Sequence, residues 1–276
     1  MEDREPDSEG SSSAAASSDD ESDWSYRRKL ILAPMVRVNS LAFRTLCAEH
    51  GCDMLYSEEM VAASLVKSRR VENAALGTVD FHSAEERGGG RVMLRTRPGE
   101  RLVLQLGTAC ATEALQAAQV AAADVRAVDL NMGCPVKFSV QGGMGSALLS
   151  EPEKVRDILT TLRRNLPASI PVTAKIRLLD DVASTLQLAR MIESCGVAAL
   201  AVHARRRHDR PRHWAQWDQF RLLKDSMPST LPIILNGDVF APSDVPRALE
   251  HTAADSLMLA RGALWNPSIL GVGVNG

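Results

Sequence analysis

Cysteine is scarce in this chain and nowhere organised. Cys47, Cys52, Cys110, Cys134 and Cys195 are odd in number and never stand as CxxC, which argues against a disulfide framework and a structural zinc site. Reduced thiols in the cytosol fit, and no metal is expected. No apolar stretch reaches the roughly 20 residues that a membrane-spanning helix needs. The amino terminus lacks the basic start and apolar core of a secretory signal, and it is too acidic for a transit peptide. A Rossmann unit is missing too: GVGVNG at 271–276 has the GxGxxG letters, but no strand leads into it and no helix follows. The expectation is a cytoplasmic protein with no membrane contact and no inferred protein partner.

Residues 1–23 carry nine Asp or Glu, one Arg and the run SSSAAASS, a composition that cannot bury a core. A disordered acidic tail over residues 1–27 and one folded domain over 28–276 are expected. Of 32 basic and 34 acidic side chains in the whole chain, 31 and 25 lie beyond residue 23, so the body carries about +6. That excess suits a polyanionic partner such as RNA and equally suits ordinary solubility.

Eight short apolar runs punctuate the body: LILAP at 30–34, MLYSEE at 54–59, LVLQLG at 102–107, AVDLNMG at 127–133, PVTAKIR at 171–177, ALAVHAR at 199–205, PIILNGD at 232–238 and SLMLARG at 256–262. Amphipathic stretches such as TEALQAAQVAAA and STLQLARMIESC lie between them. Eight such alternations predict an α/β fold, a (β/α)8 barrel of the TIM type. The long interval before the third run, with GGGRVMLRTRPGERLV, predicts an extra hairpin. In such a barrel chemistry gathers at the carboxyl ends of the strands, and Pro34, Glu58, Gln105, Asn131, Cys134, Lys175, His203, Asn236 and Arg261 all stand at or just past them.

The fourth run is the most informative. AVDLNMGCPVKFSVQGGMGSALL breaks at Gly133-Cys134-Pro135, because Pro135 fixes its own φ and removes a ladder donor. That puts a thiol at a strand's mouth. Gly142, Gly143 and Gly145 let the loop approach a ligand before an apolar helix. An ordinary thiol, with a pKa of roughly 8.5, is mostly protonated at neutral pH and can act as an acid.

NMGCP with GGMGSALL, supported in order by LILAPMVR, LVLQLGTA, VTAKIR, AVHARRR, ILNGDV and LARGALWNPS across residues 30–268, resembles the flavin-dependent tRNA-dihydrouridine synthases, most of all the eukaryotic branch acting on uridine 20 of the D-loop. The resemblance implies reduction of the uracil 5,6 double bond with FMN as cofactor, NADPH as transient reductant and Cys134 as proton donor. For FMN it implies Pro34, Met35 and Val36 of the first motif, then Gln105, Lys175 and His203. The turns NGD and ARG (Asn236, Gly237, Asp238, Ala260 and Arg261) suit the FMN phosphate, since loops after strands seven and eight commonly bind phosphate in these barrels.

Without the family, several of these residues stay open. Gln105 could be a hydrogen-bonded core amide, His203 a satisfied core histidine, and Lys175 a partner for Asp129. For the substrate, Asn131 is expected to orient the base. Lys137, Arg205 and Arg207 are expected at the RNA backbone, the last two within the arginine run ARRRHDRPRH, because a guanidinium bonds two phosphate oxygens at once. The chain departs from the branch at Val136 and Gln141, where lysines are frequent. The last barrel helix and the helical tRNA-binding domain that follow in the family are also not expected here. A flavin barrel acting on a free pyrimidine and a non-catalytic RNA-binding barrel are the competing readings.

Overall fold

In the computed structural model, which describes residues 24–84 and 90–274, all eight apolar runs become strands. The first two are β1 (Leu30–Leu32) and β2 (Met54–Val61). Between them lies α1 (Leu41–Glu49), whose N-cap Ser40 accepts from the Phe43 amide; the short α2 (Ala62–Val66) follows. Outside the barrel stands a three-stranded antiparallel sheet of β3 (Arg69–Asn73), β4 (Thr78–His82) and β5 (Val92–Thr96). The predicted hairpin is therefore larger than expected, and only β5 lay within the segment that signalled it. Its anchor is a buried ion pair: Arg44 Nε on α1 lies 2.6 Å from Glu100 Oε1, and Arg44 Nη2 donates to the Arg95 carbonyl at 2.7 Å.

The chain re-enters the barrel with β6 (Leu102–Gly107), followed by α3 (Ala111–Ala121). After β7 (Ala127–Asn131) come the one-turn α4 (Lys137–Gln141), a 3-10 turn over Gly145–Ser150 and α5 (Pro152–Asn165). The helix expected directly after the glycines thus starts only at Pro152, which tolerates the first helical position because no donor is needed there. β8 (Val172–Leu178) leads to α6 (Val182–Ser194), where the Asp181 side chain caps the Ser184 amide at 2.7 Å. Next are β9 (Ala199–Arg206) and α7 (Trp217–Ser226), β10 (Ile233–Asn236) and α8 (Asp244–Thr252). Last come β11 (Ser256–Leu259), the five-residue α9 (Arg261–Trp265) and a 3-10 turn over Pro267–Val272.

The barrel runs β1-β11-β10-β9-β8-β7-β6-β2 and closes because β1 pairs in parallel with both β2 and β11. Along each strand the side chains alternate between two cores. Leu30 and Leu32 face the helices, while Ile31 joins Met54, Tyr56, Val103, Ala127, Ala199, Ile234 and Met258 inside the cylinder. Burying a side chain of this size contributes about 1.5–3 kcal/mol. Tyr26 joins the inner core at 4% exposure and accepts a hydrogen bond from Ser256 through its backbone carbonyl. Trp24 and Tyr26, which lie inside the expected tail of residues 1–27, pack with the inner core; the acidic segment 1–23 lies outside the described residues. Among those residues no helix is long and apolar enough to cross a membrane, and no cluster of metal-ligating side chains occurs.

Candidate active site at the barrel mouth

The inward face changes character along the barrel. Past the apolar layer, the same alternation brings Gln105 on β6, Asp129 and Asn131 on β7, Lys175 and Arg177 on β8, His203 and Arg205 on β9 and Asn236 on β10 to the carboxyl end. Strand register sets them side by side: Gln105 pairs with Asp129, Asn131 with Lys175, Arg177 with His203, and His203 with Asn236.

A continuous hydrogen-bonded string crosses the floor of this mouth. Thr173 Oγ1 donates to Asp129 Oδ1 at 2.7 Å, and Gln105 Nε2 donates to Asp129 Oδ2 at 2.8 Å. Asn131 Nδ2 donates to Gln105 Oε1 at 3.0 Å, while its Oδ1 accepts the amides of Gly133 and Cys134 at 2.9 and 3.0 Å. Gln105 is thus a bonded core amide that keeps one N–H and one lone pair to spare. Asp129 is fully buried, and burial pushes its carboxyl up to about 6 against the pull of Gln105, Thr173 and Lys175.

The Lys175 side chain makes no hydrogen bond or ion pair within the described residues, so the salt bridge with Asp129 that the sequence left open does not form. Burial first, then the neighbouring Arg177, lower its ammonium to about 8, with Asp129 and Cys134 acting the other way. An uncompensated ammonium held at a strand end is costly unless an anion meets it.

Cys134 is half-buried in the loop after β7, and its carbonyl accepts the Ser146 amide at 2.9 Å. Gly145 (φ +58°) makes this fold-back possible: a Cβ there would lie 2.6 Å from the Cys134 carbonyl oxygen. Burial is the main influence raising the thiol above its ordinary value.

Across the mouth, Arg177, His203, Arg205, Asn236, Ala260 and Arg261 are among the residues lining a cavity of about 120 Å³. His203 is held well below the ordinary imidazole range by burial first, then by Lys175, Arg177, Arg205 and Arg261, so it is neutral. Arg205 Nη1 lies 3.3 Å from His203 Nε2, which leaves the imidazole proton on Nδ1. Asn236 Nδ2 donates to the Met258 carbonyl at 2.8 Å. At this corner the turns after β10 and β11 touch backbone to backbone, for a Cβ on Gly262 would sit 2.2 Å from the Val239 carbonyl oxygen. Pro34 and Met35 are half-buried beyond β1 and Val36 is exposed; their turn is held by Asn39 Nδ2, which donates to the Ala33 and Tyr56 carbonyls.

Two expected contacts are spent inside the protein. Arg205 is buried: its Nη2 reaches both Asp238 oxygens, at 2.5 and 2.7 Å, and its Nε donates to the His213 carbonyl. It is therefore not presented to solvent as an RNA-facing arginine must be. The Asp238 carboxylate also takes the Ala215 amide and Arg261, at 2.6 and 3.1 Å, so its side chain orders the corner while lining the same cavity. Arg207 and Lys137 remain exposed on the rim. Arg207 and Arg210 border a groove of about 560 Å³ that extends to Pro135.

Three residues at the mouth were not anticipated. Arg177 Nε donates to the Gly133 carbonyl at 2.7 Å; strand parity with Lys175 was the signal for it. Ser139 Oγ donates to Glu59 Oε1 at 3.2 Å. Glu58, named from the strand end, instead accepts the Arg37 amide.

A protein-family profile described as "Dihydrouridine synthase (Dus)" matches residues 31–275. The chain is 33% identical over 248 residues to the tRNA-dihydrouridine(16/17) synthase [NAD(P)(+)] of Saccharomyces cerevisiae, covering 88% of this chain and 54% of that one. It is 37% identical over 222 residues to the tRNA-dihydrouridine(20) synthase [NAD(P)+] of the same yeast, covering 78% and 58%. It thus spans little more than half the length of these relatives. A 2-naphthoyl-CoA reductase structure superposes with a TM-score of 0.61 at 10% identity, over 88% of this chain and 49% of the other; that likeness concerns the fold alone.

Proposed function

Since the chain belongs to the dihydrouridine synthase family, we propose that it reduces the 5,6 double bond of a D-loop uridine in tRNA, with FMN across the barrel mouth and Cys134 as the acid. The observation that carries this reading is the convergence of an unpartnered Lys175 with the Gln105–Asp129–Asn131 string and the Cys134 loop on one end of the barrel.

The residues present fit FMN. Lys175 offers an uncompensated positive charge where the ring would carry negative charge, and Gln105 retains a donor and an acceptor for a heterocycle edge. Arg177, neutral His203 and Arg261 line a cavity bare of side chain at Gly237 and Gly262, suited to the phosphate, with Asn236 and Ala260 on its wall. Pro34, Met35 and Val36 would flank the ring. When bound and reduced by NADPH, FMN supplies hydride to the base. Cys134 gives its S–H proton to the ring carbon on the other side, and Asn131 holds the amide that positions Cys134. Arg207 and Lys137 meet the RNA backbone. The target must leave its stack, which costs a few kcal/mol and is easier in a loop than in a duplex.

Position 20 is our reading of the uridine, carried by the resemblance of NMGCP and GGMGSALL to that branch; relatives named for position 20 and for positions 16/17 match at similar identity. Five unpaired cysteines suit a reducing compartment such as the cytosol. The experiment is nucleoside mass analysis, with position mapping, of unmodified tRNA incubated with this protein, FMN and NADPH, beside a parallel incubation with free uracil. Dihydrouridine at position 20 is expected; turnover of uracil alone would favour a free-pyrimidine oxidoreductase, and turnover of neither would leave an RNA-binding barrel.

A further inference from the structure

Glu59 stands beside the thiol because β2 is irregular. The pairing of β2 with β6 shifts register between Tyr56 and Glu59, which sets Glu59 opposite Gln105. Its carboxylate occupies the space a side chain at position 107 would need, for a Cβ on Gly107 would lie 2.5 Å from Glu59 Oε1. From the other side Ser139 Oγ donates to the same oxygen at 3.2 Å. Ser139 and Cys134 are drawn together by the fold-back at Gly145, where a Cβ would meet Ser139 Oγ at 2.6 Å and Cys134 Cβ at 2.9 Å. The two act on the thiol in opposite directions, the Glu59 carboxylate raising it and the Ser139 hydroxyl lowering it. Glu59 has no cationic partner among the described residues, so its charge acts on the thiol unopposed from that side.

Building on the synthase reading, we propose that Glu59 is a positioning residue that keeps Cys134 in its protonated form and, with Ser139, returns a proton to the sulfur after each turnover. The charged groups facing the thiol are Glu59 from β2 and Lys175 and Arg177 from β8. The two cations favour thiolate and would make the cysteine a nucleophile; the carboxylate opposes them and makes it an acid. In the step itself the S–H bond breaks, a C–H bond forms on the base, and the thiolate left behind takes a proton from water by way of Ser139 and Glu59. No further oxidant or reductant enters.

The test is the pH dependence of iodoacetamide alkylation of the Cys134 peptide, read by mass spectrometry on the full chain, with Cys134→Ala as the blank. Glu59→Gln should move the midpoint down by about one unit, a tenfold faster alkylation below it. Glu59→Asp should restore most of the shift. Ser139→Ala, which takes the donor away from the Glu59 carboxylate and leaves its charge less satisfied, should move the midpoint up, the direction opposite to that of Glu59→Gln. In tRNA reduction the alkaline limb of the rate profile should fall about one unit earlier in Glu59→Gln. Alkylation profiles of Glu59→Gln and wild type that superimpose, or shifts of the same sign in Glu59→Gln and Ser139→Ala, would overturn the proposal. Alkylation needs no tRNA, so its result stands apart from whether the protein reduces uridine.

Discussion

Asn131 holds the Cys134 amide at 3.0 Å with one end of its carboxamide and Gln105 at 3.0 Å with the other. The residue expected to orient the base therefore ties the acid loop to the barrel floor. Asn131→Ala strands two backbone donors and should cost about 1–3 kcal/mol of stability. We expect a lower thermal midpoint together with a drop in base reduction larger than any drop in flavin reduction by NADPH. Equal losses in both half-reactions would contradict that placement.

Cys134→Ala removes the proton donor and leaves the Lys175 side of the mouth unaltered. FMN binding and its reduction by NADPH should persist, while dihydrouridine formation falls by roughly 10²–10⁴-fold. Stopped-flow absorbance and nucleoside analysis measure the two halves separately.

Lys175 loses its proton at about 8. An anion meeting the ammonium is bound more tightly by the protonated form, so FMN affinity should weaken as pH rises through about 8. In Lys175→Met the affinity should be lower throughout and lack that inflection. Fluorescence titration of FMN on either side of pH 8 decides it.

Asp129 has a folded-state value of about 6 where an ordinary aspartate has 3.8. Its protonated form is favoured by folding, so its contribution to stability is full below about pH 4 and lost as pH rises through about 6, a span of about 3 kcal/mol. Other carboxylates slope the opposite way, Asp80 among them, held far below the usual range first by Arg95. The useful quantity is therefore the difference between wild type and Asp129→Asn. Denaturant unfolding should show the variant gaining on wild type between about pH 4 and 6.

Arg205 and Arg207 are two residues apart and should behave differently. Arg205→Ala leaves Asp238 buried and part-paired, and should destabilise by about 3–5 kcal/mol. Arg207→Ala should leave the thermal midpoint unchanged, weaken tRNA binding and reduce its salt slope by about one. A destabilised Arg207→Ala would argue against a rim contact.

The barrel was legible because its strands are short apolar runs, most of them with a polar residue at or near the carboxyl end, a pattern that survives without knowing which side faces in. The side itself was less legible. Parity from His203 already points Arg205 into the barrel, yet within an arginine run its charge reads as a solvated rim. Glu59 was hidden for a different reason: the register shift in β2 breaks the period-two count, so Glu58 took its place at the strand end. The sheet outside the barrel was half-seen because RRVEN in β3 is exposed and polar and carries no apolar signal. Its buried anchor, Arg44 with Glu100, joins positions 56 residues apart that no local pattern connects.

The contact between Gly262 and the Val239 carbonyl leaves no space for even a methyl group. New specificities on this scaffold must therefore arise elsewhere, in the solvent-facing turns after β7 and β9. The β10–β11 corner has to be inherited as one block, and chimeras that split it between two parents should fail to hold their coenzyme.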